Sequence, residues 1–456
     1  MKAVHVVSDE LKKEFLDFPA RLFQNDKNYI RPLNNDIEEV FNPKRNKFFR
    51  SGECERFLFK NDKDETVGKV AVFINKKYKQ KQATGGIGFF DCINDQKTAD
   101  FIFDFAKNRL QEKGMEAMDG PINFGERDKF WGLLIEGFSE PLYGMNYNPP
   151  YYRELFENYG FQIYFNQLCF GRKVHDAVAD NFLEMHKRIS QNKKISAKRM
   201  KVRDLEKYAK DFTEVYNKAW ANHGEGKELT NAQTFKLFKT LKPVINEHIS
   251  WFIYETEKPI AMWMNIPDLN QWFKYLNGEF GLLQKLKFLF LKKFKKNKKM
   301  VGLVFGIVPE WQRKGIDGYM IWEGTKHFRK TTDFEDYEMQ WIGDFNPKMI
   351  RIAENLETEV TRKLAPFGPH NMKPVLVLKN QKVAGYVKTM GKDSSHIKFY
   401  IRQESTGRNI ECIGFKLGKY ADDFREKSFD IAFTAEENHW KGNVTYYLNI
   451  RDVKFN

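Results

Sequence analysis

The sequence predicts a mixed α/β (α+β) protein made of two similar modules followed by a small all-β barrel. Apolar strands alternate with amphipathic helices over residues 1–364, and this pattern restarts near residue 200. From residue 365 onward, short apolar runs are separated by turn residues. Because 456 residues exceed what one hydrophobic core supports, we expect three domains, at residues 1–180, 195–364 and 365–456.

Composition excludes several classes of protein. No run approaches the roughly 20 apolar residues of a membrane span, and the N-terminus has no apolar signal core. We therefore expect a cytoplasmic protein. The four cysteines stand far apart, which predicts reduced thiols and no metal site. The net charge of +15 is concentrated, because eight lysines and no acid lie between Phe280 and Met300.

The first module follows the order strand, helix, hairpin, strand, helix. Its first helix has apolar residues at helical spacing and contains Pro19, and a later helix carries Phe101, Phe105 and Leu110 on one face. A short helix then runs into Tyr-Gly-Phe at residues 159–161. The predicted elements are residues 4–7, 9–23, 56–60, 67–74, 87–93, 98–113 and 149–161.

The second module repeats this order. Helices at residues 204–219 and 230–241 precede a hairpin around Glu257 and Lys258. An apolar, partly β-branched run at 301–308 ends before Pro309, and a helix, a strand and a helix follow at residues 319–329, 337–342 and 349–356. The pattern stops near residue 365 before a further strand.

The turn after Val308 reads P-E-W-Q-R-K-G-I-D-G. Gly315 lets the backbone approach an anion, the helix N-terminus adds partial positive charge, and Arg313 and Lys314 make the place basic. The order strand, Gln-x-x-Gly, helix resembles the pyrophosphate-binding loop of GCN5-related N-acetyltransferases (GNAT). One position departs from the family, since Asp317 stands where a second small residue is usual.

The resemblance implies acetyl-CoA, or another acyl-CoA, as cofactor, and an amine on a small molecule or peptide as acceptor. In the family, the splayed strands, here 304–308 and 337–342, make the slot for the pantetheine arm. The residues that the resemblance assigns to the coenzyme are Val308, Gln312, Arg313, Lys314, Gly315, Ile316 and Asn346.

Acyl transfer to an amine needs a base, oxyanion support and a proton donor for the thiolate. Glu338 and Glu310 are the carboxylates nearest to the predicted slot. The family often presents a tyrosine from the helix before Tyr-Gly-Phe, which makes Tyr151 or Tyr152 the matching candidate. Packing of both rings in a core is the alternative. The helix after Asn346 offers no tyrosine, so binding without turnover stays open.

The first module lacks an equivalent loop. Asn94, Asp95 and Gln96 follow the strand at 87–93 without a glycine, and Asp91 adds a carboxylate that would repel a diphosphate. We therefore expect this module to keep the architecture without the cofactor. The stretch at 117–138, with GMNYNPPYY after it, resembles bacterial tandem acetyltransferase-like proteins. Its polar candidates for a pocket are Asn123, Glu126, Arg127 and Asn146.

The lysine-rich segment at 281–299 combines its charges with apolar residues at helical spacing. Such helices bind anionic lipid or nucleic acid in some proteins. In other proteins such helices cover a core and direct their lysines to solvent. A third interpretation is that these lysines attract the adenosine end of coenzyme A. The apolar positions on one side are Leu282, Leu283, Leu286, Leu289, Phe290 and Phe294.

The C-terminal segment reads as five short strands, at residues 375–378, 384–390, 396–402, 429–434 and 445–450. A small closed barrel of the oligonucleotide-binding (OB) type suits them. The phrases APFGPHNMKPVLVL, IECIGFKLG, FDIAFTAEENHWKGN and YLNIRDVKF resemble, in this order, the C-terminal domain of RecJ-type single-strand-specific exonucleases. No Asp-His-His triplet occurs in the sequence, so we expect no nuclease activity.

This resemblance implies single-stranded DNA as a partner. OB barrels hold single strands in a basic groove with stacking aromatics, and fifteen Lys and Arg stand against ten Asp and Glu from residue 365 onward. The candidates are Lys398, Tyr400, Arg402, His439, Trp440 and Lys441. Alternatively, Trp440 closes one end of the barrel.

Two functions stay open. The first is an acyl-CoA-dependent N-acyltransferase with an appended single-strand-binding domain. The second is a non-catalytic single-stranded DNA-binding protein derived from a RecJ-type exonuclease.

Overall fold

The structure is a computed structural model that describes residues 1–77, 82–220, 228–368, 376–391, 394–403, 407–440 and 443–456. Two compact units divide the chain, Met1–His370 and Asn371–Asn456. The domains predicted at 1–180 and 195–364 both fall within the first unit.

The bounds of the elements are as follows. The helices are α1 (Asp9–Leu22), α2 (Asn34–Val40), α3 (Gln96–Gln111), α4 (Tyr152–Tyr159), α5 (Asp180–Ser190), α6 (Leu205–Trp220), α7 (Asn231–Leu241), α8 (Asn270–Phe273), α9 (Leu282–Phe294), α10 (Ile316–Thr331), α11 (Pro347–Asn355) and α12 (Ala421–Glu426). The strands of the first unit are β1 (Lys2–His5), β2 (Gly52–Lys60), β3 (Thr66–Asn75), β4 (Thr84–Cys92), β5 (Ala117–Asp119), β6 (Leu133–Glu136), β7 (Gln162–Ile163), β8 (Gln167–Lys173), β9 (Ile195–Arg199), β10 (Trp251–Glu255), β11 (Lys258–Pro267), β12 (Lys299–Ile307), β13 (Asp336–Met339), β14 (Ile342–Gly343), β15 (Glu359–Ala365) and β16 (Phe367–Gly368). Those of the second unit are β17 (Leu376–Gln381), β18 (Lys388–Met390), β19 (His396–Arg402), β20 (Asn409–Gly414), β21 (Phe429–Trp440) and β22 (Asn443–Phe455).

The first sheet has the order β1-β2-β3-β4-β5. Its neighbours are antiparallel except β4 and β5, which run parallel and are connected through α3. Strand β2 directs Phe57 and Phe59 into the core beneath α3 and Leu58 toward Phe15 of α1. The alternation covers both faces of the sheet, as the period of a strand requires.

The second sheet has the order β6-β15-β8-β13-β12-β11-β10-β9, with β14 paired to β8. Strands β9 to β12 are antiparallel neighbours, and β13 runs parallel to β12 after the crossover helix α10. The two sheets thus repeat one arrangement, four antiparallel strands and a fifth parallel strand reached through a helix. The predicted fold of two GNAT-like mixed-sheet modules is confirmed.

The two modules share strands. Strand β8, from before residue 180, lies in the second sheet between β13 and β15. Strand β16 pairs with β7, and Phe367 is fully buried in the core of the first module. Helix α5 packs on α10, with Phe182 against Gly318. This exchange explains why both modules form one compact unit.

The expectation that the second module stops before its next strand is wrong. Strand β15, E-V-T-R-K-L-A, occupies that place, and Arg362 in its middle is buried. The sequence disguises the strand because this arginine is buried only through its ion pair with Glu338, at 2.6 Å.

The second unit has the order β17-β21-β22-β20-β19-β18, with β20 and β22 parallel and the other neighbours antiparallel. Strands β17 and β18 are consecutive in the chain, and Val383 between them pairs with Ile401 of β19. The split strand therefore closes the sheet, which gives the OB arrangement and confirms the predicted barrel. Strand β20 was missed, and Phe424 of α12 fills the core against Phe399, with ring centroids 4.8 Å apart.

Candidate active site

In the second module, the parallel strand pair separates halfway along β12. Strand β13 pairs with β12 only from Lys299 to Gly302, and the N–H of Gln340 donates to the carbonyl of Gly302 at 3.0 Å. Strand β12 continues to Ile307. The splay that the family resemblance implies is therefore present, and the turn at residues 309–315 lies at its open end.

Each module carries a β-bulge on the strand that precedes its crossover helix, which is β12 before α10 in the second module and β4 before α3 in the first. In β12 the extra residue is Leu303, opposite the step from Met264 to Asn265 of β11. In β4 the bulge lies at Phe89 and Phe90, and Phe89 has a φ of +49°. Bulges redirect backbone groups and occur often beside active sites.

The turn after β12 has the backbone geometry expected of the predicted loop. Gly315 has a left-handed φ of +86° and α10 has no side-chain N-cap. The N–H of Tyr319 donates to the carbonyl of Gly315 at 3.1 Å, so the N–H groups of Ile316, Asp317 and Gly318 have no partner within the helix. Open donors at the positive end of a helix suit a phosphate.

Cationic side chains surround this loop. Arg313 and Lys314 are exposed, and Arg188 of α5 donates from Nη2 to the carbonyl of Lys314 at 3.1 Å. Arg188 was not predicted, because only the fold brings α5 to this loop. The left-handed φ of Gly315 would strain any other residue, and an added Cβ would also displace the tip of the Arg188 side chain, since it would lie 2.6 Å from Nη2.

The other residues assigned to the coenzyme shape the loop rather than point into it. Val308 and Ile316 are buried. The side chain of Gln312 donates to the carbonyl at the end of β12 at 3.0 Å. The side chain of Asn346 caps α11 at 3.3 Å. An anion would therefore contact the open backbone N–H groups and the cationic side chains, more than these four side chains.

Glu338, predicted as a base, lies in a buried ion cluster. Its carboxylate contacts Arg362 at 2.6 Å and Lys299 at 2.5 Å and accepts a hydrogen bond from Thr361 at 2.8 Å. Burial raises the pKa of Glu338, but the charges and hydrogen bonds of Arg362 and Lys299 outweigh it and leave the pKa below its usual value. A carboxylate held this way binds strands together. Glu310, the other predicted carboxylate, is exposed on the turn.

Tyr152 lies in the first module, within the core that the alternative interpretation expected. It is fully buried, accepts from the N–H of Cys92 at 2.8 Å and donates to Asp91 at 3.2 Å. Asp91 contacts Lys69 at 3.0 Å. Burial raises the pKa of Tyr152 well above its usual value. The structure therefore places Tyr152 in one module and the anion loop in the other.

Tyr152, Asp91 and Lys69 border a small cleft of about 70 Å³ in the first module. Its walls combine apolar side chains with a few polar groups, as small-molecule sites do. The hydroxyl of Tyr29 and Nε of Arg31 are buried there without a hydrogen-bond partner among the described residues. The apolar lining includes Leu16, Phe23, Ile37, Phe130, Leu133 and Met145.

One predicted pocket residue lines this cleft. Asn146 borders it, and its side chain donates to the carbonyl of Gly132 at 2.6 Å. Asn123 is buried elsewhere, Glu126 pairs with Lys47 at 2.7 Å, and Arg127 lies over the ring of Trp131. The lysine inside the apolar run V-G-K-V-A-V-F-I was the signal that could have identified the cleft.

The barrel brings three predicted nucleic-acid residues together on β19. Lys398, Tyr400 and Arg402 alternate with the buried Ile397, Phe399 and Ile401. Glu411 of β20 contacts Lys398 at 2.6 Å and accepts from Tyr400 at 3.2 Å. His439 and Trp440 lie at the end of β21, and Lys441 lies outside the described residues.

Two kinds of specialised feature are absent from the part of the chain that the structure describes. No group of three or more His, Cys, Asp or Glu side chains is placed to hold a metal ion. No described helix is both long enough and apolar enough to cross a membrane.

The fold consists of two GNAT-like modules and a C-terminal OB-type barrel. The family model for the RecJ OB domain matches residues 348–452. Bacterial ceramide synthase of Caulobacter vibrioides is 25% identical over 354 residues, which cover 75% of this chain and 91% of the relative. Protein YghO of Escherichia coli is 22% identical over 357 residues, with 76% and 90% covered.

Solved structures with a related architecture include a tandem GNAT protein from the clavulanic acid biosynthesis pathway. It has a TM-score of 0.46 and 10% identity, covering 80% of this chain and 97% of the other. FemX has a TM-score of 0.38 and 10% identity, with 81% and 97% covered.

Proposed function

We propose that the protein transfers an acyl group from an acyl-CoA to an amine, and that the second module holds the coenzyme. The observation that carries this proposal is the splayed, bulged strand β12, which ends at a loop with open N–H donors and cations. The relative named bacterial ceramide synthase supports amide formation as the reaction.

The residues of the loop fit a diphosphate. The N–H groups of Ile316 and Gly318 supply donors, and Arg313, Lys314 and Arg188 supply positive charge. Asp317 opposes it, but this side chain is only half-buried and has solvent access. Bound acyl-CoA supplies an activated thioester carbonyl. The edge of β12 beyond Gly302 is where the pantetheine arm would lie.

The acceptor that suits the lining of the cleft is an amine with an aliphatic chain. The apolar lining suits the chain, while the hydroxyl of Tyr29 and Nε of Arg31 offer donors to a polar end. Met145 and Tyr147 of the cleft belong to the same apolar cluster as Leu303 at the splay of β12. Residues of the proposed acceptor cleft and of the proposed coenzyme slot thus pack in one cluster. The name of the Caulobacter relative is consistent with a long-chain amino alcohol.

The test is turnover of a long-chain acyl-CoA and a long-chain amino alcohol, with the amide detected by mass spectrometry. We expect product from the intact chain and at least a tenfold loss in the double variant Arg313→Ala, Lys314→Ala. The matched control, Lys326→Ala with Lys330→Ala, removes two exposed lysines from α10, the helix that follows the loop, and should keep turnover. No amide from the intact chain with acyl-CoA and amines of several lengths would contradict the proposal.

A second function, single-strand binding by the barrel, is favoured by the row of Lys398, Tyr400 and Arg402. Stacking on an aromatic side chain such as the half-buried Tyr400 contributes about 1–3 kcal/mol per base. We expect salt-dependent binding of single-stranded DNA that weakens in Tyr400→Ala and Arg402→Ala. Glu411→Gln should strengthen it by removing a negative charge that neutralises Lys398. Binding that is equal in all these variants would refute this role.

A further inference from the structure

Helix α9 exposes an apolar surface that a folded protein seldom leaves in water. Six large side chains on it are between 55% and 77% exposed. Single exposed leucines are ordinary, but a contiguous group on one helix indicates an interaction site. The group, called here the α9 face, consists of Leu282, Leu283, Leu286, Leu289, Phe290 and Phe294.

The opposite side of α9 is anchored in the first unit. Phe288 is buried, with its ring centroid 5.9 Å from Trp272 and 5.6 Å from Phe273, and Leu291 packs on the same cluster. The helix therefore has two apolar sides, one that joins the fold and one that meets solvent. The expectation that such a helix covers a core with lysines outward accounts only for the first side.

Three of the four lysines of α9 lie outside the α9 face. At about 100° per residue, Lys285 falls on one flank and Lys287 and Lys292 fall beside the anchored side, while Lys293 falls within the face near its C-terminal end. Lys287 donates to the carbonyl of Tyr275 at 2.6 Å, and Lys292 donates to the carbonyl of Pro243. No Asp or Glu occurs between residues 280 and 300. Lysines that flank an apolar face can reach anionic headgroups while the face enters the acyl region.

We propose that α9 lies in the plane of an anionic lipid surface and docks the protein there. The charge argues for lipid over a second copy of the chain, because two such faces in contact would bring like-charged lysine clusters together. It also argues for lipid over nucleic acid, because four exposed leucines gain nothing from a phosphate backbone.

The docked helix would bring the cleft near the lipid. The N–H of Asn34 donates to the carbonyl of Gly278 at 2.7 Å, and its side chain donates to Glu279 at 2.8 Å, three to four residues before α9. Asn34 and Arg31 both line the cleft. A membrane-resident amine could thus enter without crossing water. This consequence rests on the proposed acyl transfer, whereas docking itself does not.

The experiment is flotation of the intact chain with vesicles of phosphatidylglycerol and phosphatidylcholine, compared with pure phosphatidylcholine. We expect binding to the anionic vesicles that is at least tenfold stronger and that falls with salt. The triple variant Leu286→Gln, Leu289→Gln, Phe290→Gln should lose at least tenfold in partitioning. The control Leu376→Gln, Val377→Gln changes exposed apolar residues of β17 and should retain binding.

Folding and acyl transfer are measured separately, so that their failure is distinguishable. Because the altered side chains are exposed, thermal unfolding of the triple variant should match that of the unaltered chain. Its turnover of the long-chain amino alcohol dissolved in detergent, without vesicles, should also match. Equal flotation of the triple variant, equal binding to both vesicle types, or dimer formation through the α9 face without flotation would each overturn the proposal.

Discussion

The two modules differ at the same structural position, the N-terminus of the helix that follows the bulged strand. In the first module, Asp95 is the N-cap of α3, and its carboxylate accepts from the N–H of Thr98 at 2.8 Å and from its hydroxyl at 2.6 Å. In the second, Gly315 stands there and the donors stay open. An internal anion fills one site, and the other is available to an external anion. This contrast gives a physical basis to the prediction that only the second module holds a coenzyme.

The modules also differ in how they bury charge. The first pairs Lys69 with Asp91, and burial lowers the pKa of Lys69 and raises that of Asp91. The second pairs Glu338 with Arg362, whose guanidinium cannot release its proton. A lysine–aspartate pair can become neutral by proton transfer, whereas the arginine pair must stay ionic. The loss of one partner should therefore cost the second module more.

The largest effect is expected from Arg362→Ala. It leaves the Glu338 carboxylate buried with one remaining cation, Lys299, and breaking a buried pair costs about 3–5 kcal/mol. The free energy of unfolding, measured by denaturant titration, should fall by that amount, and by less in Lys69→Met. A larger loss in Lys69→Met would contradict the comparison.

The same cluster predicts a dependence on acid. The pKa of Glu338 is lower in the folded protein than in the unfolded chain. Its contribution is therefore complete above the unfolded value of about 4.3 and is lost as the pH falls through the folded value. The stability of Glu338→Gln should consequently change less between pH 5 and pH 3 than that of the unaltered chain. If the stability of both proteins changes equally with pH, the role of the ion cluster is contradicted.

A smaller effect is expected from Asp95→Ala in the first module. The hydrogen bonds from Thr98 lower the pKa of Asp95, and the loss of an N-cap costs about 1 kcal/mol. Coenzyme affinity should stay the same, because this helix end is not the proposed site. If the variant instead gains a second coenzyme site, the contrast becomes sharper. The carboxylate of Asp95 would then be the feature that keeps the coenzyme from the N-terminus of α3.

The smallest effect is expected from Arg188→Ala. The side chain is exposed and its bond to the loop is a single one, so a decrease in coenzyme affinity of about fivefold corresponds to roughly 1 kcal/mol. Arg188→Lys should restore part of it, because charge is kept. If the coenzyme affinity is unchanged in both variants, Arg188 is not part of the coenzyme site.

Much of the architecture could be predicted from local patterns. The strand, Gly315 turn and helix around residues 301–329 follow from periodicity and from one glycine. Strand β15 could not be recognised, because Arg362 reads as a solvent-exposed residue until Glu338 is placed beside it. The cleft was missed for a similar reason, since Tyr29, Lys69 and Asp91 come together only in the folded chain.

The apparent chemistry of single residues was the least predictable. Glu338 has the residue type of a base. Its contacts with Lys299, Arg362 and Thr361 instead give it a structural role. The sequence predicts correctly that the six apolar residues of α9 share one side. It does not predict that the other side packs on the fold, because that depends on the contacts of Phe288 with Trp272 and Phe273.

The most direct measurement is calorimetric titration of coenzyme A into the intact chain and into two variants that compare the two helix ends. We predict one binding site, at least a tenfold loss of affinity in Arg313→Ala with Lys314→Ala, and unchanged affinity in Asp95→Ala. Affinity that depends on Asp95 but not on Arg313 and Lys314, or no binding at all, would contradict a coenzyme site in the second module.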